Sequence, residues 1–459
     1  MTENLKGRSK MLKKQLEKLN NKSILASLIF LAVPTVIEEI MSTLLQYVDT
    51  AMVGNLGEKA TASVSVTTTI NWLVGGIFSA LGVAAVAMIS EAVGRKSQKD
   101  SQKISSQIFI LTVITGLLTG VLCIALSPVI PVLMGAEKDI QKTASLYFAI
   151  ISIPMIFRAV NTVMAACLRA TKNTKTPMLI TLFENLLNIA LNYLFIYVLK
   201  MGVIGAGVGS AISFTVSGIL MFCEYRKSDW LKFGRDLIKP DKNVLKICLK
   251  TSYPVFLTHS VNCMGYVVFA ALVSSMGTTV FAAHSIAVSA EQIFYIAGYG
   301  FRSATSTMIG ISIGERNENK FKAVRKNSVL ITVIMMLLSG TVLYFVAAPL
   351  MDIFTNSQNV VALGAKMLRL VAFSEPFFGL MIVLEGIYYG LGKTKYVFLS
   401  ESVSMWCVRI LFTFLCVKIW HLDLTAVWCC MIADNIFKAI LLSVPFIAGR
   451  VRFPHNEQQ

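Results

Sequence analysis

LTVITGLLTG (residues 111–120) and ITVIMMLLSG (residues 331–340) share six of ten positions without a gap, at a spacing of 220 residues. The same spacing relates a series of prolines, glycines and alanines, namely Pro34 and Pro254, Gly57 and Gly277, Ala62 and Ala282, and Gly94 and Gly314. A match with so long a period is typical of a duplicated unit. The chain is therefore predicted to contain two homologous halves.

The apolar blocks around this repeat indicate the class of protein. Of the 459 residues, 55% are hydrophobic and 15% are charged, whereas soluble domains are usually about one quarter charged. Blocks of about 20 apolar residues recur along the chain, which is the length that a helix needs to cross a bilayer. They show no two-residue alternation, which a membrane barrel would require. We predict an all-α polytopic membrane protein whose first span is a retained anchor and not a signal peptide.

Twelve spans are predicted, six in each half. They cover residues 24–54, 61–90, 104–126, 143–168, 177–199, 203–224, 247–275, 280–309, 327–348, 361–389, 396–417 and 424–448. Because six is even, both halves enter the membrane from the same side, so two six-helix lobes form a parallel repeat about the membrane normal. The predicted parts are a basic N-terminal segment (1–22), an N-terminal lobe (23–225), a linker (226–245), a C-terminal lobe (246–449) and a tail (450–459).

The net charge of +17 is distributed unevenly between the two sides of the membrane. With alternating loops, the side of the N-terminus carries 31 Lys and Arg residues and the opposite side carries 6. This excess is the positive-inside signature, so we expect a multi-pass protein of the cell membrane with both termini in the cytoplasm. The positive charge then reports orientation and contact with anionic lipid, and we expect no nucleic-acid partner.

Several functional classes lack the residues that they need. The chain contains no GxxxxGK[ST] motif and no loop long enough for an ATPase domain. Its nine cysteines form no CxxC pattern, and its four histidines have no second ligand pattern nearby. We therefore expect neither an enzyme nor a structural metal site, and no cofactor. A transport activity of this chain would have to draw its energy from an ion gradient.

Polar side chains form two helical stripes in the first lobe. One consists of Glu38, Ser42, Gln46 and Asp49, and the other of Glu184, Asn188 and Asn192. Such stripes either join helices or line a water-filled cavity, and two carboxylate-bearing stripes in one bundle favour the cavity. The position that the repeat relates to Asp49 is Phe269. A charge that only one of two copies retains is not needed for the fold, which favours a chemical role for Asp49.

The second lobe has its own intramembrane charges. Glu291, Tyr295, Tyr299 and Arg302 lie on one stripe of the eighth span and predict either an internal network or part of a cavity. Asp434 and Lys438 are four residues apart and are predicted to neutralise each other. For a substrate cavity we select Gln46, Glu291 and Tyr295.

Five stretches of the first lobe resemble the multidrug and toxic compound extrusion (MATE) transporters. They are YVDTAMVGNLG (47–57), GRKSQ (94–98), LRATKNTKTPM (168–178), NYLFIY (192–197) and MGVIGAGVGSAIS (201–213), and the second lobe adds SAEQIFYIAGYGF (289–301) and YGLGKTK (389–395). The resemblance implies two six-helix lobes that rock around a central cavity. It also implies that a small organic substrate, often cationic and amphipathic, is exported in exchange for H⁺ or Na⁺. We expect a monomer, since one chain contains both lobes.

The resemblance also implies roles for single residues. Asp49 matches the first-helix carboxylate that the family uses for cation coupling, and Asn188 matches a fifth-helix asparagine of the same site. Asn192 stands where some members have a second aspartate, so Glu38 or Glu184 is expected to supply the second carboxylate. Na⁺, if it is the coupling ion, would bind at Asp49.

Other members of the family bind the cation in the C-terminal lobe, through a glutamate and an aspartate. Those positions are Asn262 and Phe378 here, so we expect coupling through the N-terminal lobe. Desolvation disfavours the charged form of a carboxyl group, so Asp49 is expected to bind and release a cation during exchange. The alternative is a flippase for a lipid-linked precursor, whose pyrophosphate would require cavity arginines, for which Arg158, Arg302 and Arg409 are candidates.

Overall fold

The computed structural model describes residues 2–234, 239–449, 451, 453 and 454, and before residue 23 it describes the backbone alone. The helices are α1 (Thr2–Gly54), α2 (Glu58–Gly94), α3 (Gln98–Leu126), α4 (Ile130–Leu133), α5 (Lys138–Ser152), α6 (Met155–Ala170), α7 (Lys175–Val198), α8 (Gly202–Lys227), α9 (Lys242–Ser274), α10 (Thr278–Gly314), α11 (Glu318–Phe354), α12 (Gln358–Ala372), α13 (Glu375–Gly390), α14 (Thr394–Ile419) and α15 (Leu424–Ile447). No strand occurs in these residues, which confirms the all-α prediction.

The described part of the chain contains ten helices long and apolar enough to cross a membrane, and the predicted number of twelve is reached when each of two bent helix pairs counts as one span. The axes of α5 and α6 differ by 52°, and those of α12 and α13 by 56°. Each break lies beside a proline, Pro154 before α6 and Pro376 at the start of α13. Proline lacks the N–H that would continue the helix, so it favours a break. The sequence predicted an unbroken span at both places.

The first helix of each lobe lies between the two lobes. α1 packs against α7 of its own lobe and against α10 of the other, and α9 packs against α14 of its own lobe and against α2. The buried residues Leu28 and Leu31 of α1 belong to the hydrophobic core that α10, α13 and α15 build. Any movement of one lobe against the other must therefore change the surroundings of α1.

Two glycines of the repeat bring the lobes into backbone contact. A Cβ atom added to Gly94 would lie 2.2 Å from the carbonyl oxygen of Ile311, and one added to Gly314 would lie 2.0 Å from that of Glu91. Only glycine permits α2 and α10 to cross so closely at these ends. The duplicated positions thus meet at the axis that relates the two lobes, which supports the parallel repeat.

The link between the lobes is shorter than predicted. α8 continues to Lys227 and α9 begins at Lys242, so the connection covers 228–241, of which residues 235–238 lie outside the described part. Asp241 caps α9 by accepting from the backbone N–H groups of Asn243 and Val244. Most of the predicted tail, 450–459, also lies outside the described residues.

Candidate functional site

Asp49 lies at the end of a chain of hydrogen bonds that crosses from α8 through α7 to α1. The amide Nδ2 of Asn192 donates to Asp49 Oδ1 at 2.9 Å and to Asn188 Oδ1 at 2.9 Å. Asn188 Nδ2 in turn donates to Ser210 Oγ at 3.1 Å. Three of the predicted coupling residues, Asp49, Asn188 and Asn192, therefore lie together. The carboxylate receives only a neutral donor, and no basic group forms an ion pair with it in the described part of the chain.

Glycine and the local helix geometry position these amides. A Cβ atom at Gly209 would lie 2.3 Å from Asn192 Oδ1, so α8 approaches α7 closely only because position 209 has no side chain. Directly after Asn192, residues Tyr193–Val198 form a π-helical segment, which is a common departure from α-helix beside functional sites. The buried Oδ1 of Asn192 has no hydrogen-bond donor among the described residues.

The two other predicted acids lie elsewhere. Glu38 forms an ion pair with Arg169 at 3.0 Å and accepts from Thr181 Oγ1 at 3.3 Å. It is eleven residues before Asp49 on the same helix, which corresponds to about 16 Å at a rise of 1.5 Å per residue. Glu184 is buried and accepts from Asn161 Nδ2 at 2.8 Å. Neither acid joins Asp49 in this arrangement.

A cavity of about 560 Å³ lies between the lobes and is walled mostly by the second one. From the first lobe, α2 contributes Asn71 and Trp72 and α6 contributes Arg158. The charged residues of the second lobe that line it are Glu291, Arg302, Glu385, Glu401, Arg409 and Lys438. Aromatic rings of both lobes complete the wall. The cavity is therefore both aromatic and rich in charges of either sign.

Most charges of the second lobe are joined in a buried network. Arg302 pairs with Glu385 at 2.9 Å. Asp434, which is fully buried, pairs with Arg409 at 2.8 Å and with Lys438 at 3.2 Å. The last distance confirms that Asp434 and Lys438 neutralise each other.

The network also reaches the first helix of its lobe. Lys438 continues from Asp434 to Glu401 at 3.0 Å, and Glu401 accepts from Asn262 Nδ2 at 2.9 Å. A π-helical segment of α14, Ser404–Ile410, carries Ser404 and Arg409 toward Asp434. Lys438 is therefore joined to Asn262 through the carboxylate of Glu401.

Two of the three residues selected for the substrate cavity line it. Glu291 and Tyr295 face this space, and the Tyr295 ring packs on Phe378 at 5.1 Å between centroids. Gln46 does not belong to the wall and its side chain is exposed. The stripe on the eighth span was predicted to form either an internal network or part of a cavity. It does both, since Arg302 belongs to the ion-pair network as well as to the cavity.

Some partners in these sites were not selected from the sequence. Arg169, Asn161 and Ser210 each hold one of the predicted residues, and all three come from other helices. The sequence contained weak signals for two of them. Asn161 lies three residues after Arg158 in the same span, and Ser210 lies in a glycine-rich stretch. Partners that are distant in the sequence require knowledge of helix packing.

Comparisons with known proteins cover nearly the whole chain. The profile of the MatE family matches residues 34–194 and 254–415, one match in each half. The chain is 26% identical over 452 residues to the probable multidrug resistance protein NorM of Thermotoga maritima, covering 96% of each protein. It is 24% identical to the probable multidrug resistance protein YpnP of Bacillus subtilis, covering 85% of this chain and 88% of that protein. The solved structure of a MOP superfamily transporter from Pyrococcus furiosus has the same fold, with a TM-score of 0.88 at 20% identity, covering 95% and 97% of the two chains.

Proposed function

Because the chain belongs to the MATE family of transporters, we propose that it is a secondary active efflux transporter of the cell membrane. It exports amphipathic organic compounds, cationic ones included, in exchange for H⁺ or Na⁺. The relatives named as multidrug resistance proteins support this substrate class. The observation that carries the coupling mechanism is the carboxylate of Asp49, which is held by an amide alone on a helix that lies between the lobes.

The surroundings of Asp49 suit a group that exchanges a cation. An acid that is paired with a permanent base stays charged, whereas an acid without such a partner can accept a proton or a metal ion when water is withdrawn. α1 contacts α10 of the opposite lobe, where Tyr47, two residues before Asp49, donates to the backbone oxygen of Ser289 at 2.8 Å. Cation binding at Asp49 thus acts beside a contact that must change when the lobes rock.

The charge distribution supports an orientation for the cycle. With both termini in the cytoplasm, the first span runs outward and Asp49 lies in the outer half of the membrane. In the outward-facing state, H⁺ or Na⁺ binds at Asp49 and the substrate leaves. The loaded N-terminal lobe then favours inward opening, where the cation is released and the next substrate binds. One chain supplies both lobes, so the proposed unit is a monomer without a cofactor.

The oxygens near Asp49 are compatible with either ion. Na⁺ prefers oxygen ligands, and the Oδ1 atom of Asn192 is an acceptor without a donor in the described structure. A proton requires only the carboxylate itself. Glu184, buried and held by Asn161, remains the proposed second acid, whereas Glu38 is held by Arg169.

The test is efflux from proteoliposomes with an imposed proton or sodium gradient. We expect Asp49→Asn to fold normally and to abolish coupled efflux, a decrease of at least about 100-fold, because an amide cannot exchange a cation. Asp352→Asn is the matched control, since this acid is exposed near the C-terminal end of α11 and its removal should leave the rate unchanged. An undiminished rate in Asp49→Asn would overturn the mechanism.

The flippase for a lipid-linked precursor is the second candidate, because its three candidate arginines all line the cavity. Two of them, Arg302 and Arg409, are engaged in ion pairs with Glu385 and Asp434. A pyrophosphate would then have to compete with buried acids for its ligands, which favours the efflux proposal. Complementation of a lipid-precursor defect, without dye efflux, would reverse this preference.

A further inference from the structure

One arginine on the cavity wall, Arg158, forms no ion pair with an acid among the residues that the structure describes. We propose that Arg158 binds a carboxylate of the transported compound, so that the cavity selects aromatic solutes carrying a single negative charge beside any positive one. This inference rests on the proposed efflux function only for the claim that the bound compound is exported. The binding step can be measured without transport.

The charges that face the cavity can be paired one by one. Three bases have an acidic partner within the second lobe: Arg302 with Glu385 at 2.9 Å, Lys438 with Glu401 at 3.0 Å, and Arg409 with Asp434 at 2.8 Å. Among the arginine, lysine, aspartate and glutamate residues of the described cavity wall, these pairs leave Arg158 of the first lobe and Glu291 of the second.

Arg158 is held in place without being neutralised. Its Nη1 atom donates to Asn71 Oδ1 at 3.2 Å, and its guanidinium lies 5.2 Å from the centre of the Phe214 ring. Glu184, the acid of the neighbouring helix, accepts from Asn161 and is near enough to attract Arg158, but the two form no direct ion pair in the described structure. Arginine does not lose its proton in proteins, so this charge is permanent. A permanent charge in a site of low dielectric constant strongly favours an anion as its ligand.

The charge balance favours a carboxylate over a phosphate. One unpaired guanidinium matches one negative charge, and its planar fork can donate two parallel hydrogen bonds to a carboxylate. A phosphate dianion would need a second free cation, but the remaining cavity bases are already paired. Glu291, on the opposite lobe, is available for a positive group of the same compound. A zwitterion would therefore bridge the two lobes.

The wall also provides a place for an aromatic ring. Trp72 follows Asn71 on α2, and 60% of its surface is exposed although it lines the cavity. Tyr295 and Phe378 pack against each other on the second lobe, with their rings tilted by 45°. Aromatic walls with a few polar groups are typical of sites for small organic ligands, and about 560 Å³ lies within their usual range of volume.

Two dyes with the same ring system isolate the carboxylate. Rhodamine 110 carries a free carboxylate beside its cationic ring system, and rhodamine 123 is its methyl ester. Binding of each dye to the purified full-length protein is measured by fluorescence polarisation, with protein-free micelles as background. We expect the wild type to prefer the free acid. We expect Arg158→Gln to weaken rhodamine 110 binding about tenfold or more and rhodamine 123 binding less than twofold, as for loss of a charged hydrogen bond.

Two further variants give the control and the rescue. Arg158→Lys keeps the charge and should retain part of the preference. Arg325→Gln removes a charge from α11 outside the cavity, where the guanidinium lies over Phe446, and should change neither dye. Equal weakening of both dyes in Arg158→Gln, or no weakening of either, would overturn the inference.

The wild type alone provides a test that does not depend on the folding of a variant. If it binds the ester as tightly as the acid, the inference is wrong. Failure of the efflux proposal has a different result: vesicles would extrude neither dye, while the preference for rhodamine 110 in binding would persist.

Discussion

Two intramembrane aspartates in this chain have opposite surroundings. Asp49 in the first lobe accepts one hydrogen bond from the amide of Asn192 and is partly exposed. Asp434 in the second lobe is fully buried between Arg409 and Lys438 and also accepts from Ser404 at 2.5 Å. Both lie in largely apolar helices, yet Asp434 is fixed by two basic partners and Asp49 has none in the described structure.

The duplication makes the difference informative. The position of Asp49 is repeated in the second lobe as Phe269, which packs on His284 at 5.5 Å and lies 5.7 Å from the Arg409 guanidinium. The second lobe thus has an apolar ring beside a permanent base where the first lobe has an acid. Under the proposed mechanism, Asp49 is the switching site and the second lobe holds a fixed network, so a single cation changes the charge of only one half.

The largest effect is expected from breaking the fixed network. Asp434→Asn leaves Arg409 and Lys438 buried with less than their compensating charge, and removing one partner of a buried ion pair costs about 3–5 kcal/mol. The loss would appear as a large decrease in the unfolding temperature of the purified protein. Ser404→Ala, which removes only a neutral donor to the same carboxylate, should cost about 1 kcal/mol. If Asp434→Asn were as stable as the wild type, the ion-pair network would not be needed for the stability of the fold.

The sequence predicted the part of the fold that follows from regular patterns. Span length and the even number of spans per half gave the lobes, and the spacing of 220 residues located Gly94 and Gly314, which the structure brings together. The bends at Pro154 and Pro376 were missed, although these prolines are 222 residues apart, close to the period of the repeat. A proline inside an apolar block can be accommodated without a break, so the block alone does not predict one.

The sites were predictable only to the extent that one helix carries them. Asp49 was found because the repeat relates it to a phenylalanine, and Asp434 and Lys438 because they are four residues apart. The pairing of Glu38 with Arg169 joins residues 131 apart, and no periodicity of α1 indicates which helix will face it. Such pairs depend on how the helices pack, which local patterns do not determine.

A smaller effect is expected at the switching site from Asn192→Ala. Its amide Nδ2 donates to Asp49, while its Oδ1 atom is free to hold a metal ion, so loss of the side chain has opposite consequences for the two candidate ions. With H⁺, the proton concentration for half-maximal efflux should fall about tenfold, because the charged carboxylate loses a donor. With Na⁺, the sodium concentration for half-maximal efflux should rise by a similar factor.

Efflux measured against each ion in turn decides between these outcomes. Asn185→Ala is the control, since Asn185 is buried on the same helix and its Nδ2 atom has no partner in the described residues. An unchanged half-maximal concentration for both ions in Asn192→Ala would show that the amide does not act on the coupling cation.

The smallest effect is expected at the link between the lobes, where an acid is paired but exposed to water. Lys103 donates to Asp241 at 2.5 Å and holds the pKa of that carboxyl below its usual value of 3.8. A lowered carboxyl pKa stabilises the folded state above the usual pKa, and this contribution is lost as the pH falls through the lower one.

Exposed ion pairs contribute little, so Asp241→Asn, which keeps a capping side chain at the start of α9, should barely change cleavage by trypsin at neutral pH. Asp241→Ala also removes the cap on Asn243 and Val244 and should be cleaved faster after Lys242, in the first turn of α9. Equal acceleration in both variants would mean that the charge, and not the cap, holds the link, and that pairing outside the membrane matters as much as it does around Asp434.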